Sequence, residues 1–121
     1  MPQRAAAAVS EMNLAELQSR ALRASSLLKA MSNPVRLLVL CQLAEGEKSV
    51  GELEQVVDVS QSALSQHLAL LRQRGIVRFR RDGQTLYYSL AGQEAPTLLA
   101  ALYAVYCGRV GRGRRARAKT G

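Results

Sequence analysis

The stretch from Val59 to Val77, VSQSALSQHLALLRQRGIV, limits the folds that are open to this chain. Ser60 can cap a helix that ends near Arg74, because Gly75 suits the left-handed residue that stops a helix. At about 100° per residue, one side of this helix carries a leucine stripe, formed by Leu64, Leu68 and Leu71. The opposite side carries small and amide side chains and no acid: Ser62, Gln66, Ala69 and Gln73, with Ser65 at its edge. The pattern predicts a helix with one face on a core and one polar face free.

Two helices are predicted upstream of this stretch. Apolar residues recur every three or four positions in the first, which indicates a narrow seam that packs on another helix or on its own copy. The seam consists of Leu14, Leu17, Ala21, Ala24 and Leu28. Asn33 and Pro34 suit the cap and first residue of a second helix. The predicted apolar stripe of this second helix consists of Leu37, Cys41 and Ala44, flanked by Leu38 and Leu40.

Ser49 begins a capping-box pattern for a short third helix that extends to about Val57. A tight connection joins it to the polar-faced helix, so the two form a helix-turn-helix unit. The segments IVRFRR and TLYYSL, with a turn at Asp82-Gly83 between them, then indicate a β-hairpin. A last helix, APTLLAALYAVYC, is apolar on almost every side. Such a helix must be buried, and we expect a partner subunit to bury it.

Composition and charge set the domain organisation. We expect a flexible N-terminal arm at 1–10, one domain at 11–107 and a basic, disordered tail at 108–121. The net charge of +8 suggests a nucleic acid or another anionic partner. Most of the excess lies in the tail, which would add salt-sensitive, sequence-independent affinity. No apolar run reaches the length of a membrane span, and the alanine-rich start is too short for a secretory signal, so a cytoplasmic location is expected.

The polar face becomes informative because it belongs to a helix-turn-helix unit beside an arginine-rich hairpin. Small and amide side chains let a helix enter the major groove, and arginines on a hairpin suit phosphates or the minor groove. His67 is expected to be packed or to contact phosphate rather than to bind a metal. The predicted DNA contacts are Ser60, Gln61, Ser62, Ser65, Gln66, His67, Arg78, Arg80, Arg81 and Gln84, with Arg72 and Arg74 as further phosphate contacts.

These features together resemble the ArsR family of bacterial winged-helix repressors. The resemblance lies in the patterns L..MSNPVRL..L and S..HL..L...G.V..RR.G....Y.L and in the order of elements, and it covers about residues 20–107. It implies a mainly α fold with a β-hairpin wing, a homodimer built on the first and last helices, and a recognition helix at 60–74. It also implies binding to double-stranded operator DNA that an inducer relieves, with half-sites roughly 34 Å apart.

The metal ligands that the sequence lacks limit the kinds of inducer that this chain can bind. Metal-sensing relatives open the third helix with Cys-x-Cys or place Asp and His on the last helix, and this chain has neither, so no metal or cofactor is expected. One cysteine in LLVLCQL and one at the end of the last helix resemble the sulfide-responsive branch, the BigR/SqrR-type repressors. The resemblance implies that Cys41 and Cys107 are sensor thiols. Persulfide or polysulfide would react with one thiolate, and the second would close a sulfur bridge that weakens operator binding.

Other functions stay open at this point. A general oxidant sensor would form a plain disulfide between the same thiols, and a metal-responsive repressor would belong to the same family. A redox enzyme is disfavoured, because there is no Cys-x-x-Cys and neither thiol has a base nearby in the sequence, so the chain is expected not to be an enzyme. A structural, nucleoid-type DNA binder would use the basic tail and give sequence-independent footprints.

Overall fold

A computed structural model describes residues 11–108, and these form five α-helices and a three-stranded antiparallel sheet. The order confirms the predicted mainly α winged helix-turn-helix. The proposed arm at 1–10 and the tail beyond Gly108 lie outside the described residues. The elements are α1 (Leu14–Met31), α2 (Pro34–Ala44), β1 (Lys48–Ser49), α3 (Val50–Glu54), α4 (Gln61–Gln73), β2 (Val77–Asp82), β3 (Thr85–Leu90) and α5 (Glu94–Tyr103), which continues as a π-helical turn (Ala104–Gly108).

The helix starts follow the capping residues in the sequence. The side chain of Asn33 accepts hydrogen bonds from two backbone N–H groups at the start of α2. Ser49 and Glu52 form the predicted capping box of α3, and Ser60 accepts from the backbone N–H of Ala63 at the start of α4. These side chains satisfy donors that the first turn of a helix leaves unpaired. Gly75 then ends α4 at a φ of 73°, which suits glycine because it has no Cβ.

The third helix is shorter than predicted. It ends at Glu54 rather than near Val57. The N–H groups of Gln55 and Val56 bond to carbonyls three residues back, which tightens the last turn. Two adjacent β-branched valines favour helix weakly, and the structure buries Val57 in the core instead of continuing the helix.

The wing contains a strand that the sequence pattern did not indicate. β2 and β3 form the predicted hairpin, with Asp82 opposite Thr85 and the turn at Gly83. β1 pairs with the other edge of β3, so the strand order is β1-β3-β2. The hairpin is therefore joined by hydrogen bonds to the segment that connects α2 and α3.

One aliphatic core holds the helices and the base of the wing together. The leucine stripe of α4 is buried, as predicted. In α2 the stripe itself was predicted wrongly. Of the predicted residues only the flanking Leu40 is fully buried, and it shares the buried side with Val39 and Leu43. On the predicted stripe, Leu37 is half-buried, and Cys41 and Ala44 are exposed. Apolar residues lie on two sides of α2. The spacing of these residues alone does not show which side packs against the rest of the protomer.

Large apolar side chains are exposed along α1 and at the end of α5. On α1 they include Leu14 and Leu28, both members of the predicted seam. Beyond α5 they are Val105 and Tyr106, exposed by 72% and 77%. Exposed apolar side chains that cluster in this way are typical of an interaction site. Within residues 11–108, no helix is long and apolar enough to cross a membrane.

Candidate nucleic-acid interface and thiol pair

The polar face of α4 lies on the surface of the protomer. Its leucines anchor the helix in the core, so the side chains of the opposite face point outward. Five of the predicted contact residues at and after the helix start are exposed: Ser60, Gln61, Ser62, Ser65 and Gln66. Ser60, Gln61 and Ser62 lie at the first turn, where the free backbone N–H groups of the helix also attract anions.

His67 lies at the half-buried edge of α4, against Arg36 of α2. Nδ1 of His67 is 3.4 Å from Nη1 of Arg36. Burial lowers the pKa of His67, and the charge of Arg36 lowers it further. Arg36 also donates to the carbonyl of Ala30 at 2.7 Å, near the end of α1. The imidazole therefore favours its neutral form and lies where three helices meet.

The three wing arginines separate onto two faces of β2. Side chains alternate along a strand, so Arg78 and Arg80 share one face and Arg81 lies on the other, with Phe79. Arg78 donates to Ser89 across the sheet at 3.4 Å, and Arg80 pairs with Glu47. Arg81 and Gln84, near the turn of the hairpin, are exposed.

A cleft separates the recognition helix from the wing. It is lined by side chains of α4, of the hairpin and of the start of α3, including Gln61, Ser65, Arg72, Gln84 and Thr85. The guanidinium of Arg72 lies over the Phe79 ring, 5.2 Å from its centroid, so this side chain connects the helix to the wing. Arg74, by contrast, turns to α1 and lies 3.4 Å from the carbonyl and hydroxyl oxygens of Ser26. That position removes it from the cleft.

Cys41 lies on α2, which packs against α5, and Cys107 lies on the π-helical turn that continues α5. Both are free thiols and both are exposed in the protomer. Partial burial raises the pKa of Cys41, and the negative charge of the Cys107 thiolate raises it further, an effect that requires the two groups to be near one another. Cys107 belongs to the π-helical turn, whose wider hydrogen-bonded ring changes the direction of the side chains that follow α5.

No group of three or more Cys, His, Asp or Glu residues with metal-binding geometry occurs within residues 11–108. Within these residues, the two thiols are therefore not part of a larger cluster of possible metal ligands.

Two residues that contact the predicted DNA-binding side chains were not among the site residues predicted from the sequence. Arg36 lies in the SNPVR segment, but its contact with His67 joins positions that are far apart in the chain. Glu47 follows α2 and forms two hydrogen bonds with Arg80. Neither contact can be recognised from a local sequence pattern, because each one joins segments that only the folded core brings together.

A helix-turn-helix with an exposed polar recognition helix, followed by a β-hairpin wing, defines a winged-helix regulator of transcription. Residues 33–78 match the model of the bacterial regulatory protein arsR family. The chain is 47% identical over 96 residues to the transcriptional activator HlyU of Vibrio cholerae, covering 79% of this chain and 89% of that protein. It is 44% identical over 99 residues to the biofilm growth-associated repressor of Agrobacterium fabrum, covering 82% and 85%.

A solved structure gives the same result. The transcriptional repressor BigR from Xylella fastidiosa superposes with a TM-score of 0.72 at 45% identity, over 79% of this chain and 98% of that one. The chain belongs to the ArsR family of bacterial transcriptional regulators, and its relatives include the BigR-type repressors that the sequence resembles. These relatives are regulators of transcription, which confirms the expectation that the chain is not an enzyme.

Proposed function

We propose that this regulator is a homodimeric repressor that binds operator DNA in the cytoplasm and releases it when reactive sulfur joins Cys41 to Cys107. The observation that carries the sensing part is the neighbourhood of the two thiols. Cys41 lies on α2, which packs against α5, and Cys107 lies on the turn that continues α5. Both thiols are exposed, and the negative charge of Cys107 raises the pKa of Cys41.

The DNA part of the proposal is supported by the exposed polar start of α4 and by the cleft beside it. Ser62, Ser65 and Gln66 would face base edges in the major groove, where hydroxyl and amide groups make hydrogen bonds. The backbone of the first turn would bind phosphate. Arg81 and Gln84 at the hairpin turn would reach the neighbouring backbone or minor groove.

The dimer is supported by the apolar residues that the protomer leaves uncovered. They are concentrated on α1 and on the turn after α5, the two regions that the sequence indicated for dimerisation. A two-fold axis through this surface would present two copies of α4 to successive half-sites of a palindromic operator, about one helical turn apart.

The sulfur chemistry uses the inducer itself as the oxidant. One thiolate would attack the terminal sulfur of a persulfide RSSH, forming a protein persulfide and releasing RSH. If the second thiolate attacks the inner sulfur of that persulfide, HS⁻ leaves and a plain disulfide forms. If both cysteines first become persulfides, one attacks the inner sulfur of the other, HS⁻ leaves, and a bridge of three sulfurs remains.

The longer bridge would matter for selectivity. A direct disulfide needs Cα atoms within about 7 Å, whereas inserted sulfurs extend the reach. The bridge would tie α2 to the helix used for dimerisation and shift the spacing of the two recognition helices. A coupling of about 1–3 kcal/mol would weaken operator binding roughly 5- to 150-fold.

Mass spectrometry and operator binding on the same sample test the proposal. The full chain is treated with an organic persulfide, with hydrogen peroxide, or with neither, and is then assayed with a palindromic duplex. We expect added sulfur atoms between Cys41 and Cys107, together with weaker binding, after persulfide alone.

The single variants C41S and C107S are the controls, since each keeps one reactive thiol but cannot form an internal bridge. Both should bind the duplex with and without persulfide. Equal affinity of the reduced and treated wild-type protein would refute the sensing proposal. A peroxide-treated sample that loses only two hydrogens and releases DNA equally well would identify a general oxidant sensor instead.

A further inference from the structure

Arg80 differs from the other wing arginines in the way an acidic side chain holds it. Its Nε and Nη2 atoms donate to the two carboxylate oxygens of Glu47, each at 2.8 Å. The guanidinium also lies over the Tyr87 ring, 4.6 Å from the centroid. A two-point hydrogen bond of this kind fixes both the position and the orientation of the guanidinium.

This ion pair crosses the whole sheet. Arg80 is on β2, one edge strand, whereas Glu47 immediately precedes β1, the other edge strand. The side chains therefore meet over Tyr87 of the central strand, which faces the same side as Arg80. The pair fastens the outer strand of the wing to the segment that leaves α2, the helix that carries Cys41.

The charge of Arg80 is largely cancelled by this arrangement. The hydrogen bonds from Arg80 lower the pKa of Glu47, so the carboxylate stays ionised and the pair is neutral as a unit. Arg81 is adjacent in the chain but lies on the opposite face of the strand. Within the part of the chain that the structure describes, no acidic side chain forms a salt bridge with Arg81.

We propose that Arg80 is a positioning residue, which together with Glu47 sets the orientation of the wing, and that Arg81 makes the phosphate contact. The inference rests on the proposed DNA-binding function and revises its residue assignment, since the sequence alone grouped Arg80 with the contacts. Movement at the end of α2 would reach the wing through the same ion pair.

Two double variants of identical composition and net charge test this assignment. E47R/R80E exchanges the partners and can rebuild the ion pair in reverse, whereas E47R/R81E cannot. Each full-length variant is titrated with a fluorescent operator duplex at several salt concentrations, and circular dichroism checks folding. We expect E47R/R80E to bind at least about tenfold more tightly than E47R/R81E and to keep the wild-type salt dependence.

The milder pair E47Q and E45Q covers the case in which a double variant fails to fold. Both remove one negative charge from the same segment. E47Q removes the charge and one of the two acceptor oxygens that hold Arg80, whereas E45Q affects only the exposed pair with Lys48. Positioning predicts weaker operator binding for E47Q than for E45Q, with an unchanged salt slope. A phosphate-contacting Arg80 predicts the reverse, because its release from Glu47 would strengthen binding and steepen the slope.

The outcomes separate the two proposals. If wild type binds the operator and the two double variants bind alike, or if E47Q binds more tightly than E45Q, Arg80 is a DNA contact and the positioning role is overturned. If wild type binds no operator DNA, the proposed function fails, and this inference fails with it.

Discussion

The exposed seam of α1 allows a quantitative prediction about assembly. Leu14 is 68% exposed in the protomer. Complete burial of a leucine side chain stabilises by about 1.5–3 kcal/mol, so burying the exposed part is worth about 1–2 kcal/mol. A two-fold axis doubles the effect, to about 2–4 kcal/mol per dimer. Since alanine keeps the β-carbon, we take the lower value and expect L14A to weaken dimerisation at least about thirtyfold.

The same helix offers a matched control. Leu22 is 74% exposed, but it lies about a third of a turn from the centre of the seam, and its neighbours one turn away on the helix are mainly polar: Gln18, Ser19, Ser25 and Ser26. L22A should therefore leave the dimer nearly unchanged. Sedimentation equilibrium of labelled protein over a range of dilutions measures both constants. Equal effects of L14A and L22A, or none from either, would refute the assignment of the seam to the interface.

Further predictions concern the thiols, His67 and two glycines. C107S should lower the pKa of Cys41, seen as a shift of its alkylation rate profile to lower pH, because a neighbouring negative charge is removed; an unchanged profile would mean that the thiols do not interact. The pKa of His67 is depressed in the fold, so its contribution to stability is present above about pH 6.5 and is lost as the pH falls. H67Q should reduce the loss of thermal stability between pH 7.5 and 5.5, and an equal loss in both proteins would contradict this. G75A should destabilise by about 1–2 kcal/mol in urea unfolding, because φ is 73°, whereas G51A, in a helix and with room for a Cβ, should not.

The sequence predicted the elements well because their signals are local. The caps at Asn33, Ser49 and Ser60 and the stop at Gly75 each act within one helical turn, so they can be read without knowing the rest of the fold. The hairpin around Gly83 is of the same kind. These signals, together with the leucine stripe of α4, were sufficient for a winged helix-turn-helix.

The errors in the prediction concern contacts between distant segments. β1 has only two residues and forms by pairing with the free edge of β3. Two residues are too few to show the alternating pattern of a strand, so the sequence did not indicate β1. Glu47 and Arg80 are 33 positions apart, and the charge of Arg80 alone gave no sign of its partner. The apolar stripe predicted for α2 includes Cys41, but the protomer leaves this residue exposed and buries a neighbouring side of the helix.

That last error has a physical reason that also bears on function. A regulator that works as a dimer needs two apolar surfaces, one for its own core and one for its partner, and both have the same helical period. Cys41 lies on an apolar side of α2 that the protomer leaves exposed, and Cys107 lies among the exposed side chains that follow α5. A bridge between them would alter the surface that sets the distance between the two copies of α4, without disturbing the buried leucines that keep each copy folded. Reversible sensing requires that the modified residues lie outside the core. A modification of the core would unfold the protein instead of shifting one subunit relative to the other.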